Sequence, residues 1–240
     1  MKRILATLLA LTTGCTMLAS CGSDSSSDAK DEKEHQVQIC EQIDKENALF
    51  ENLCDSLNKG IATITIIDMR GDETTTQYVT SDGKAAYIKV TDSDGDFDAF
   101  MNESGCYYFD HAGKRYFFIE DEDVPQSARI DTVEIAQSFM QLGGEYAGTY
   151  EVKIDGEKFI AERYNNGKEI FYHVFDGDWM LINTIEDRGG KMVLAVDPDY
   201  CKISFGTTVD EYNLQLPEGY SPMSKGEYSI YTYEKDKASD

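Results

Sequence analysis

From Ile61 onward, short β-branched and aromatic runs alternate with turns rich in Gly and Asp, a texture that predicts strands. One series covers 61–70, 73–80, 85–91, 97–102, 106–110 and 115–120, with Gly71-Asp72, Asp82-Gly83 and Ala112-Gly113 among its turns. A second covers 148–154, 158–164, 169–175, 179–186, 192–196 and 200–205, joined at Asp155-Gly156, Asn166-Gly167 and Gly189-Gly190. Connections this short join antiparallel neighbours.

Two stretches show helical spacing instead. Over 36–59, Ile39, Ile43, Phe50, Leu53 and Leu57 recur at threes, fours and a seven, with Cys40 and Cys54 on the same broad face and Gly60 as the stop. Over 132–142, Val133, Ala136, Phe139 and Met140 share a face, Asp131 can cap the start and Gly143-Gly144 ends it. Pro217 and Pro222 make the last apolar segment, 214–221, a poor strand, and 235–240 is polar enough to fray. The expected class is α+β and β-rich: an antiparallel sheet of about eleven or twelve strands, with an N-terminal helix and a middle helix.

Several strands are apolar on both faces. Tyr116 and Phe118 oppose Phe117 and Ile119; Ile170, Tyr172 and Val174 oppose Phe171 and Phe175. A sheet with one wet face alternates cleanly. Such strands are covered on both sides, or their sheet curls around something. An apolar cavity is therefore expected, with Tyr116, Phe118, Tyr172 and Val174 as its candidate lining.

The first residues carry an address. Met1-Lys2-Arg3 is a basic start, residues 4–11 are an apolar run too short to span a bilayer, and Leu18-Ala19-Ser20-Cys21 resembles a bacterial lipobox. Cys15 is the competing acceptor, but Thr12 stands where a lipobox has Leu. The expected layout is a lipoprotein signal peptide over 1–20, diacylglycerol on Cys21, a flexible acidic tether over 21–35, one folded domain over 36–234 and a frayed tail over 235–240. Two acyl chains anchor stably where one does not. The expected location is the extracytoplasmic face of a bacterial membrane.

Charge narrows the partners. The chain has 45 Asp plus Glu against 22 Lys plus Arg, a net charge of -23, so it lacks the basic footprint of a nucleic-acid binder. Adhesion to anionic lipid by charge is disfavoured for the same reason. Its membrane contact is expected through the Cys21 lipid, and its other partner is a hydrophobic ligand. Cys40, Cys54, Cys106 and Cys201 are an even set in an exported chain and are disulfide candidates. On one continuous helix, Cys40 and Cys54 would stand about 21 Å apart, beyond the ~7 Å reach of a disulfide. Either each reaches a strand thiol at Cys106 or Cys201, or they are small buried apolar groups.

The order of these parts resembles a known family. A lipoprotein signal, a helix, a meander, a middle helix, a second meander and the ending Leu216-Pro217-Glu218-Gly219-Tyr220 are similar to the LolA/LppX-type lipoprotein-carrier superfamily. The Tyr-rich hairpin from Tyr107-Tyr108-Phe109-Asp110 to Lys114-Arg115-Tyr116-Phe117 is similar too. The resemblance covers roughly 36–222. It implies a curved half-barrel sheet, helices on its concave side and an apolar cavity for acyl chains, with no catalytic residues.

Reactive constellations are sparse. Of the three His, His35 falls in the tether, His111 in a hairpin turn and His173 mid-strand among Phe171, Tyr172 and Phe175. His173 reads as a structural group. The run Asp92-Ser93-Asp94-Gly95-Asp96-Phe97-Asp98 places carboxylates at alternate positions, but Phe97 stands where an EF-hand has Gly. It reads as a solvated turn. The 15 Tyr and Trp179 could stack on sugars, although aromatic residues are also ordinary strand residues. No nucleophile elbow, zincin motif or phosphate loop occurs. The expectation is a protein that is not an enzyme, with no metal and no cofactor, binding a lipid or other hydrophobic ligand in a concave sheet. The alternative is an envelope interaction or sensor module with a filled core, whose outer face meets a wall or protein partner.

Overall fold

The computed structural model describes residues 35–43, 48–69, 73–93, 95–124, 131–211 and 213–238. The expected signal peptide, Cys21 and the expected tether up to residue 34 lie outside them. The fold is α+β and β-rich. In chain order the strands are β1 (Val37–Ile43), β2 (Ile61–Asp68), β3 (Thr75–Asp82), β4 (Ala86–Asp92), β5 (Gly95–Asn102), β6 (Gly105–Asp110) and β7 (Arg115–Glu120). There follow β8 (Glu145–Ile154), β9 (Glu157–Asn166), β10 (Glu169–Phe175), β11 (Leu181–Arg188), β12 (Lys191–Leu194), β13 (Cys201–Gly206) and β14 (Ser221–Pro222). The helices are α1 (Leu49–Asn58), α2 (Thr132–Gln141) and α3 (Lys225–Ala238).

All fourteen strands belong to one sheet, in the order β1-β8-β9-β10-β11-β13-β2-β3-β4-β5-β6-β7-β14, with β12 paired to β11 beside this path. The two meanders are therefore spliced through β13, which pairs β2 along its length and meets β11 at Leu181–Phe205. This corrects the expected half-barrel of eleven or twelve strands: the sheet is open and uncurled, and it has two more strands. The additions are β1 and β14.

β1 replaces the first part of the helix expected over 36–59. Val37 and Ile39 lie opposite Ile154 and Val152 of β8, so their alternation is a strand's. The four-residue step from Ile39 to Ile43 fits both periods. A residue far along the chain, not the local spacing, decides between them. The helix proper is α1, which buries Phe50, Leu53, Cys54 and Leu57. At the other end of the chain, α3 occupies part of the tail expected to fray, and β14 runs parallel to β7.

The helices explain the apolar strand faces. α1 and α2 pack on each other and cover a cluster that includes Ile64, Val79, Ile88, Phe171, Phe175, Leu181 and Phe205. Full burial of each large side chain stabilises the fold by about 1.5–3 kcal/mol. α3 lies on the same face further along, its Tyr228 stacked on Phe117 with ring centroids 4.3 Å apart. Tyr172 and Val174 point the other way, into a second cluster with Val152, Ala161 and Ile185, closed by Val37 and Ile39 of β1 and Met192 and Leu194 of β12. At this end β1 and β12 approach each other over the sheet. Packed side chains fill the space around Tyr172 and Val174.

The four cysteines are thiols rather than disulfides. Cys40 is on β1 and Cys54 on α1, so the shared helix assumed for them does not exist. Cys54, Cys106 and Cys201 are buried and Cys40 is half-buried.

Candidate functional site on the aromatic face of β4 to β7

The face opposite the helices carries a row of aligned side chains across six strands. Thr63 lies opposite Thr80, Thr80 opposite Tyr87, Tyr87 opposite Phe100, Phe100 opposite Tyr107 and Tyr107 opposite Phe118. Pleating makes this unavoidable. Each residue neighbours one that points to the helices, as Phe118 neighbours Phe117. Ring centroids are 5.9 Å apart for Phe100 and Tyr107 and 4.7 Å for Tyr107 and Phe118, with Tyr116 5.4 Å from Tyr107. Phe100 is buried, whereas Tyr107, Tyr116 and Phe118 are half-buried.

A polar chain borders the rings. The Tyr87 hydroxyl donates to Asp98 Oδ2 at 2.8 Å, and His111 Nε2 meets the same oxygen at 2.7 Å. His111 Nδ1 meets the Tyr220 hydroxyl at 2.5 Å. A neutral ring satisfies all three groups when Nε2 donates to the carboxylate and Nδ1 accepts from the phenol. The Asp98 side chain is 6% exposed and the His111 side chain 53%. Burial, then the nearby Asp98 charge, raises the affinity of the Tyr87 phenol for its proton. Tyr87 is thus fixed as a donor. Asp98 is not the solvated turn residue expected from sequence; of the same acidic run, Asp96 pairs instead with Lys89 at 2.6 Å.

A strap of chain reaches this face from β13. Thr63 Oγ1 donates to the Thr208 carbonyl, and Asp210 N donates to Thr80 Oγ1 at 3.0 Å. Further on, Tyr220 packs edge-on against Phe109 at 5.8 Å. Ser221 N and Met223 N then donate to the carbonyls of Lys114 and Tyr116 at 3.1 and 2.8 Å. Thr208 and Asp210 are therefore pinned at β2–β3, and Tyr220 to Met223 at the β6–β7 hairpin. The Leu-Pro-Glu-Gly-Tyr ending belongs to this strap.

The four residues expected to line one cavity separate into two places. Tyr116 and Phe118 belong to the aromatic face, while Tyr172 and Val174 are core at the far end of the sheet. Asp98, His111 and Tyr220 were missed as a group because nothing local links a strand, a turn and a tail. His173 is fully buried. Its Nδ1 meets Thr184 Oγ1 at 3.1 Å, its Nε2 donates to the Leu142 carbonyl at 3.2 Å, and its ring lies on Phe50 at 3.5 Å. Trp179 sits in the β10–β11 turn and is not part of the aromatic row.

No family model matches the chain, and no curated protein matches it. Among solved structures, an uncharacterized conserved protein from Thermus thermophilus aligns at 11% identity over 72% of this chain and 97% of its own, with a TM-score of 0.31.

Proposed function

We propose that the protein is a membrane-anchored extracytoplasmic binding module that takes its partner on the aromatic face of β4 to β7. The partner class is a sugar chain of the cell envelope. One observation carries this reading: all three helices lie on one face, while Tyr107, Tyr116 and Phe118 stand half-buried on the other beside a fixed hydrogen-bonding chain. Pyranose rings have apolar C–H faces for aromatic rings and hydroxyls for a carboxylate and a phenol. A pure hydrocarbon ligand would make no use of the polar border that Asp98, His111 and Tyr220 form beside the rings. Lipid on Cys21 supplies the anchor, and the acidic stretch before His35 supplies the spacer. The surplus of acid suits a neutral or aminated glycan better than an anionic one.

Isothermal titration of the full chain with soluble envelope oligosaccharides tests the proposal. Wild type binds, and the Tyr107→Ala/Tyr116→Ala double variant loses at least tenfold in affinity while keeping its circular dichroism. Equal affinity of the two proteins would sink the reading. So would native mass spectrometry showing a tightly held lipid in place of sugar binding.

A further inference from the structure

His35 stands where the described chain begins, and its ring is 8% exposed. Its Nδ1 lies 2.7 Å from Asp155 Oδ2 in the β8–β9 turn, and its Nε2 lies 3.0 Å from Asp197 Oδ1 in the β12–β13 connection. Asp199 Oδ2 is 4.0 Å from the same Nε2. These three carboxylates are the charged groups facing the ring among the described residues. Carboxylates only accept, so both ring nitrogens can be satisfied together only when each carries a hydrogen. A neutral ring that donates from Nδ1 would turn a lone pair toward Asp197 and Asp199.

We propose that His35 is a proton-operated clasp, which joins the head of β1 to the β8–β9 turn and the β12–β13 connection when charged and releases β1 when neutral. The neighbouring contacts belong to the same clasp: Gln36 N donates to Asp155 Oδ1 at 2.9 Å, and Asp155 N donates to the Gln36 carbonyl at 2.9 Å. Within the sheet β1 has one partner, β8, and its Val37 and Ile39 help to close the cluster around Tyr172. Releasing it uncovers the backbone edge of β8, a template for another strand. Hydrogen bonding to Asp155 raises the His35 proton affinity above the ordinary 6.5, burial opposes this, and Asp197 adds to the rise. Stabilisation by the clasp is therefore complete below pH 6.5 and is lost as pH climbs through the raised value. The clasp does not depend on what the aromatic face binds.

Hydrogen exchange on the full chain, with amide protection in β1 divided by that in β9, cancels the pH dependence of intrinsic exchange. The expected ratio falls about tenfold from pH 5.5 to pH 9 in wild type, and His35→Gln gives the low ratio throughout. Asp197→Asn keeps the imidazole and moves the fall to lower pH. A wild-type ratio that does not change with pH would overturn the proposal, whatever the variants do. Restoration of the ratio at pH 9 by added zinc would overturn it too, since the group would then be a metal site.

Discussion

Glu162 on β9 accepts the backbone N–H of Phe50, the second residue of α1, at 3.0 Å, and its other oxygen accepts that of Leu49 at 2.9 Å. A buried carboxylate thus caps a helix that has no side-chain cap of its own, where the helix dipole favours negative charge. Burial outweighs these bonds and raises the affinity of Glu162 for a proton. Its pH-linked contribution is greatest below the ordinary carboxylate range and falls as pH rises through the raised value. Glu162→Ala leaves two helix N–H groups without their acceptor and should cost about 1–3 kcal/mol. Glu162→Gln should cost less and remove the pH dependence. Urea midpoints at several pH values, with unchanged slopes, measure both.

His173 should make the protein sensitive to acid. Burial lowers its proton affinity from 6.5 to about 3, with the Leu142 carbonyl opposing weakly. The neutral ring contributes its full stability above pH 6.5, and that stability is lost as pH falls toward 3, at up to about 1.4 kcal/mol per pH unit. This slope is opposite in sign to that of His35. Melting curves of His173→Gln should be flatter than wild type between pH 6.5 and 4. An unchanged acid slope would show that other groups set it.

Gly60 and Gly83 meet back to back, so the end of α1 rests on the β3–β4 turn. A Cβ on Gly83 would lie 2.4 Å from the Lys59 carbonyl oxygen, at a φ of +86° that disfavours any side chain. Gly83→Ala should destabilise by about 2 kcal/mol or more, as strain and clash combine. Gly177, with open space around its α-carbon, is the control, and Gly177→Ala should fall within about 0.5 kcal/mol of wild type. Thermal denaturation of the pair distinguishes the close contact from a general intolerance of alanine in turns.

The thiols make a chemical prediction. Non-reducing peptide mapping should recover Cys40, Cys54, Cys106 and Cys201 without crosslinks. Cys40, the least buried, should react first with a maleimide. Cys54 should be slow even in mild alkali, since burial followed by the charge of Asp55 pushes its thiol up to about 11. A crosslink between any two of the four in the native protein would contradict their free thiols in this structure.

The strands were legible because their turns are: Asp82-Gly83, Asp155-Gly156 and Asn166-Gly167 each sit between two paired strands. β1 was not legible, because seven residues with Val37, Ile39 and Ile43 fit two periods and their partner is β8. α3 was missed because its aromatic contact residue, Tyr228, follows Gly226 in a polar stretch and acquires an apolar face only against Phe117 and Tyr108. Of the two-faced strands, β10 is covered on both sides, whereas β7 keeps Tyr116 and Phe118 half-buried on the face away from α3. Sequence does not reveal which face a helix takes, so Phe117 and Phe118 were equivalent until α3 chose one. The Asp98–His111–Tyr220 chain was illegible for the same reason: its members meet only after the strap has passed over the sheet.

β13 sits at the middle of the sheet yet is among the last strands to be made. Until it arrives, β2 has one bare edge, β11 has on that side only β12 beside it over Ile185–Arg188, and the two meanders share no ladder. A chain that emerges N-terminus first must therefore hold a half-built sheet, with an aromatic row and the sticky edge of β2, for much of its synthesis. Slow, late closure is the expected folding signature, and its natural hazard is pairing of one copy's β2 with another copy's β13. If the chain leaves the cell as its first residues suggest, the escort it most needs is one that guards β2 until residue 206 has crossed.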